Sequence, residues 1–308
     1  MLLRQFLLPG VILPALVAGV IACCDPALFR RPAIRAPRSG AAAIAAGWLA
    51  AFVAIGAMPS MPPGEVLGWL FWLMAAAGIV GILWEMLPGR SSAPLAVGLA
   101  LAVVGLMLRP LVAHTWTAAA AAGWLLAATA STLVIHWGFD ALAAADEGDT
   151  SSTAARAPRA RGGLRGGWFV AGAATLLTVG AAATLGLSAT ARVAQLMGAL
   201  TAGIGACVVA RLIARSERTL LGRGATLSLA LGYAGLLLSG FFYAELRWTA
   251  WLVLALAPAA AALAHRGAGA PAGRGVVAVL VVAAVMVALA LGPAIWATAT
   301  AEPGMYDY

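Results

Sequence analysis

Long apolar runs, each closed by a short polar or proline-containing stretch, repeat along the whole chain. In order they cover Phe6 to Cys24, Ala41 to Met58, Val66 to Leu87, Leu95 to Val112, Thr117 to Phe139, Trp168 to Leu187, Val193 to Ile213, Ala225 to Tyr243, Thr249 to Leu263 and Val276 to Trp296. Within a run the apolar residues are continuous, which is not the alternation, in segments of about 10 residues, that a membrane barrel requires. A helix crossing the hydrocarbon layer needs about 20 mostly apolar residues. The pattern therefore predicts an all-α fold, a polytopic transmembrane helical bundle of ten spans.

One polar break interrupts this rhythm and divides the spans five and five. Asp140, Asp146, Glu147 and Asp149 come first, then Ser151, Ser152 and Thr153, then Arg156, Arg159, Arg161 and Arg165. Such a stretch buries too little apolar surface to offset the entropy of ordering, so it reads as a solvated, disordered linker. The predicted organisation is a first membrane half over 1–139, the polar loop over 140–166, a second membrane half over 167–297 and an acidic tail over 298–308.

Composition sharpens this picture. Hydrophobic residues make up 63% and charged residues 10% of the chain, against roughly 25% charged in a soluble domain, and the mean hydropathy is +0.97. So much apolar surface makes the lipid bilayer the expected partner. Basic residues outnumber acids 19 to 11, and every one of the 19 is arginine. In a soluble protein such an excess would point to nucleic acid; here the arginines sit between apolar runs, so no nucleic acid is expected.

Arginine placement gives an orientation, because cytoplasmic loops carry the positive excess. Fifteen of the 19 arginines fall in the first, third, fifth, seventh and ninth connections; Arg4, Arg109, Arg192 and Arg247 fall elsewhere. This predicts a bacterial inner (plasma) membrane protein with both termini outside and the 140–166 loop in the cytoplasm. A second reading of the amino end treats Val20-Ile21-Ala22-Cys23 as a lipoprotein-type cleavage box. It would leave nine spans and place Arg30 to Arg38 outside, against the charge pattern.

Candidate chemistry is sparse. Cys23, Cys24 and Cys207 have no metal-ligand spacing, and they read as small apolar filler. His114 and His136 bracket one span and are separated by roughly 33 Å as a helix, so they cannot share an iron. No phosphate loop, H-E-x-x-H or nucleophile elbow is present, and the chain is expected to be no enzyme and to carry no cofactor or metal.

The polar groups that remain define two candidate sites. At the outer face the topology gathers Arg109, His114, Tyr243, Glu245 and Arg247, with Glu65 nearby and an Arg109–Glu245 pair within the range of arrangements. Glu85 is an acid one turn inside the cytoplasmic end of the third span. No span carries a charge at its midpoint, where ion-coupled carriers place them. A small-molecule permease would use a cavity lined by Ser131, Thr132, Gln195, Thr201 and Tyr233. The other reading is a non-enzymatic subunit of a larger membrane complex, whose partner is another membrane protein. In length and span count alone the chain is similar to the drug/metabolite transporter permeases; their cytoplasmic termini differ from the outward ones predicted here. Gly78, Gly81, Gly198, Gly203 and Gly205 are expected to bring helices into close contact.

Overall fold

A computed structural model describes residues 7–24, 39–56, 58–86, 93–153, 168–188, 191–213, 221–267 and 272–300. Among the described residues every regular element is helical. Ten helices result: α1 (Leu8–Cys23), whose first turn is wound as a π-helix, α2 (Gly40–Gly56), α3 (Val66–Met86), α4 (Ala93–His114), α5 (Ala118–Thr153), α6 (Trp168–Ser188), α7 (Ala191–Ile213), α8 (Arg223–Tyr243), α9 (Trp248–Gly267) and α10 (Ala272–Thr300). Each falls on one of the ten apolar runs. Six of them, α3, α4, α5, α7, α8 and α9, contain segments long and apolar enough to cross a membrane, and α1, α2, α6 and α10 contribute shorter apolar segments. Apolar helices of this kind suggest insertion into a bilayer.

Contacts at the helix ends show that successive helices run up and down. At one end Glu65, which opens α3, meets Arg192 at the start of α7, and Arg192 lies against Gly56 at the close of α2. At the other end Glu85 of α3 meets Gly224 in the first turn of α8. These are called below the Glu65 end and the Glu85 end.

Helix α8 forms the axis of the bundle. It packs against α2, α3, α4, α5, α7 and α9 and touches α6, while α1 lies outside on α2 and α7, and α10 outside on α6 and α9. Of the apolar segment in α8, 89% is buried inside the protein, against 22% in α5, which lies in the surrounding layer. In lipid there is no hydrophobic drive to bury one apolar helix rather than another, so close packing by small residues decides the centre. Helix α8 supplies them as a stripe, Gly224, Ser228, Gly232, Gly235 and Ser239, spaced three or four residues apart on one face, which meets Gly81, Ala77, Met74 and Leu70 of α3.

One expectation is corrected here. The residues Asp140 to Thr153 were expected in a disordered loop; they continue α5 as helix. Ala141 and Ala143 to Ala145 supply the best helix formers along that stretch. Residues 154–167 lie outside the described set. Helix α8 takes neighbours from both halves of the chain. Among the glycines expected at contacts, Gly78 meets Ala45 and Gly81 meets Ala41 and the Gly224 carbonyl, Gly203 lies against Ile44 and Gly198 faces Gly10, whereas Gly205 faces open space.

Candidate functional site: the polar ties of the central helix

Helix α8 is tied to its neighbours by four hydrogen bonds between side chains and backbone, spread along its length. Near the Glu85 end, the Glu85 carboxylate accepts the Gly224 N–H at 3.3 Å. One turn further in, the Ser228 hydroxyl donates to the Ala77 carbonyl of α3 at 3.2 Å. In the middle, the Tyr233 hydroxyl donates to the Leu254 carbonyl of α9 at 3.2 Å. At the Glu65 end, the Tyr243 hydroxyl donates to the Met107 carbonyl of α4 at 2.6 Å.

The Glu85 tie has a clear cause. The first N–H groups of a helix have no partner within it, and Gly222, in the N-cap position of α8, has no side chain to supply one. Glu85 does so from a neighbouring helix, with a negative charge at the positive end of the helix dipole. Gly81 and Gly224 make this possible: a Cβ on Gly81 would meet the Gly224 carbonyl oxygen at 2.7 Å, and one on Gly224 would overlap Gly81. Glu85→Ala should lower unfolding stability by about 1 kcal/mol, the usual worth of an N-cap. Glu85→Gln, which keeps an acceptor oxygen, should recover most of that loss. Equal losses in both, measured by detergent-titrated unfolding, would remove the capping role.

Tyr233 answers a different need. Pro258 lies inside α9, and proline lacks the N–H that would bond the carbonyl four residues earlier. That carbonyl belongs to Leu254, and Tyr233 supplies its donor. The phenol is fully buried, and Phe139 of α5 stands edge-on to it at 5.7 Å between centroids. On the far side of the kink, Gly138 lets the α5 backbone approach α9; a Cβ there would fall 2.5 Å from both the Ala259 nitrogen and the Pro258 carbonyl carbon. Pro258 thus opens α9, Gly138 admits it and Tyr233 satisfies it.

The predicted cavity lining is distributed over three helices. Ser131 and Thr132 on α5 both donate to the Ala128 carbonyl of their own helix at 2.8 Å. Thr201 on α7 donates to the Thr178 hydroxyl of α6 at 2.9 Å. Gln195, near the start of α7, faces Gly10 of α1, where an added Cβ would stand 3.5 Å from the Gln195 Cβ and carbonyl oxygen. Tyr233 belongs to the node just described. The short hydroxyls therefore bond to their own helix or glue two together, as such groups do in apolar surroundings.

The predicted outer-face residues lie toward one end of the bundle, the Glu65 end. Tyr243 joins α8 to α4, but Arg109, His114, Glu245 and Arg247 are exposed, and Arg109 and Glu245 form no ion pair. Glu245 occupies the left-handed region at φ 55°, in the turn where the Ala244 and Leu246 N–H groups both return to the Gly240 carbonyl. Glu65 lies 3.1 Å from Arg192. At the same end Phe241 and Phe242 join Trp116, Trp124 and Trp251 in one aromatic cluster, with Phe241 stacked on Trp251 at 4.9 Å.

Sequence reasoning did not single out Pro258, Gly138 or Arg192. Proline near the middle of an apolar span was the available signal, since it requires a donor from another helix. Cys207 is buried, and Cys23, Cys24 and Cys207 form no disulfide. Among the described residues no group of three or more His, Cys, Asp or Glu side chains is placed to hold a metal. Set against known protein families, characterised proteins and solved structures, the chain matches none of them.

Proposed function

We propose that the chain is a multi-pass protein of the bacterial inner membrane that serves as a non-enzymatic subunit of a larger membrane assembly. The observation that carries this reading is that the mid-span hydroxyls proposed for a solute path are consumed by the fold itself. Ser131, Thr132, Thr201, Ser228 and Tyr233 each donate to a backbone carbonyl or another hydroxyl of the bundle. A permease must leave such groups available to a solute at the membrane midplane. Helix α8, where that path would run, is instead packed on nearly its whole surface.

The arginine distribution supports an orientation with the Glu85 end in the cytoplasm and both termini outside. On this reading all ten helices cross the bilayer, the shorter ones where the layer thins to meet them. Native mass spectrometry of the full chain, gently extracted from its own membrane, tests the proposal. The expected result is a protein partner retained at fixed stoichiometry. A chain that emerges alone and carries a defined water-soluble small molecule would overturn the subunit reading and restore the permease.

A further inference from the structure

Three hydrogen-bond donors lie enclosed in one aromatic patch between α2, α3 and α7, and none has an acceptor. They are the indole N–H of Trp48, the indole N–H of Trp72 and the Nε of Arg192. A continuous series of rings connects them. Trp48 and Phe52 lie 5.5 Å apart, Phe52 and Phe71 5.2 Å, and Phe71 and Trp72 5.2 Å, and the Arg192 guanidinium stands 5.2 Å above Phe52. Trp48 is fully buried, and Trp72 and Arg192 are half-buried.

The chemistry of a ligand for this patch follows from what the patch lacks. Indole and guanidinium groups can only donate, and an enclosed donor without a partner is the kind of group whose partner must be sought outside the chain. The ligand must therefore supply acceptor oxygens. It need not supply charge, because Glu65 already stands 3.1 Å from Arg192, which favours a neutral carbonyl over an anionic phosphate. Arg192 lies against Gly56 at the rim, and the eight residues from Gly56 back to Trp48 span about 12 Å of helix. The ligand thus reaches from the rim into the apolar layer. Aromatic walls of this kind favour a flat ring in offset or edge-on packing.

We infer that the α2–α3–α7 junction binds a neutral, lipid-soluble, flat carbonyl compound of the quinone class, whose oxygens accept hydrogen bonds from Trp48, Trp72 and Arg192. The inference does not depend on the assembly role proposed above.

The test uses the full chain in nanodiscs, with decylubiquinone as the probe and the thermal unfolding midpoint as the readout. Decyl alcohol, which has the tail without the ring, and dioleoylphosphatidylglycerol, which offers a phosphate, serve as comparisons. Decylubiquinone should raise the midpoint saturably, and decyl alcohol should not. Trp48→Phe and Trp72→Phe, each losing one donor, should raise the half-saturating concentration about 2- to 10-fold. Trp248→Phe, at an exposed tryptophan 65% accessible, should leave it unchanged. If Trp48→Phe does not fold, Trp72→Phe at the half-buried rim decides. An equal shift from decyl alcohol, no shift from the quinone, a shift from the phospholipid alone, or variants that bind like the unmodified chain would each overturn the proposal.

Discussion

Gly138→Leu should destabilise the bundle by about 3 kcal/mol or more, at the upper end of what overpacking usually does. At Gly138 even a Cβ would fall 2.5 Å from backbone atoms of Pro258 and Ala259. Side chains can rotate away from an intruder; a helix backbone can yield only by moving as a body. Helix α9 would have to separate from α5, and α9 also holds the Leu254 carbonyl that Tyr233 satisfies. Gly123→Leu is the matched comparison, because Gly123 lies on the same helix with open space around it. That substitution should stay within about 0.5 kcal/mol. Both would be read by unfolding the purified protein in a denaturing detergent titration while following tryptophan fluorescence. Similar losses at the two positions would mean that crowding at Gly138 is not the cause, and the close approach of α5 and α9 would carry no weight.

The positions of the helices were legible in the sequence because the bilayer imposes them. Apolar runs such as Val66 to Leu87 or Val193 to Ile213 must be helical, since no other single-segment structure satisfies its own backbone in lipid. Their packing was not legible, for a related reason. Lipid-facing and protein-facing residues are equally apolar, so the stripe that reveals the buried face of a soluble helix is missing. The leucines of α8 are almost all buried, from Leu227 to Leu238, whereas Leu126 of α5 is 73% exposed, and hydropathy alone cannot tell these settings apart. What separates α8 is its stripe of glycines and serines against α3, a signal that appears only when small residues are weighed above apolar ones.

The polar residues were easier to find than to interpret. Glu85 stood out as an acid within a span, and its position in the fold gives it a structural reason: a helix whose N-cap is Gly222 takes its cap from elsewhere. Tyr233, Thr201, Ser131 and Thr132 were grouped because all are mid-span and polar. Sharing a depth did not make them share a site, since depth fixes one coordinate and the identity of the facing helix fixes the other two. The ion pair went astray in the same way: Arg109 and Glu245 share an end of the bundle, but Glu65 pairs with Arg192 because α3 and α7 both open there.

The Tyr233–Pro258 relation makes the sharpest prediction, because two substitutions on different helices should compensate. Tyr233→Phe removes one hydroxyl and leaves the Leu254 carbonyl without a donor in a dry interior, at a cost of about 1–3 kcal/mol. Pro258→Ala restores the N–H at position 258 and lets α9 satisfy Leu254 from within, whatever it costs in contact with Gly138. In the Pro258→Ala background the phenol is redundant, so Tyr233→Phe should then cost less than about 0.5 kcal/mol. The double-mutant cycle isolates this coupling from the effect of each change alone, and residues sharing one hydrogen bond typically give about 0.5–3 kcal/mol. A coupling near zero would show that Tyr233 contributes only its ring, packed edge-on against Phe139. A coupling of the expected size would show that the kink in α9 and the phenol on α8 are two parts of one device, which holds the central helix at the depth where the proline opens its neighbour.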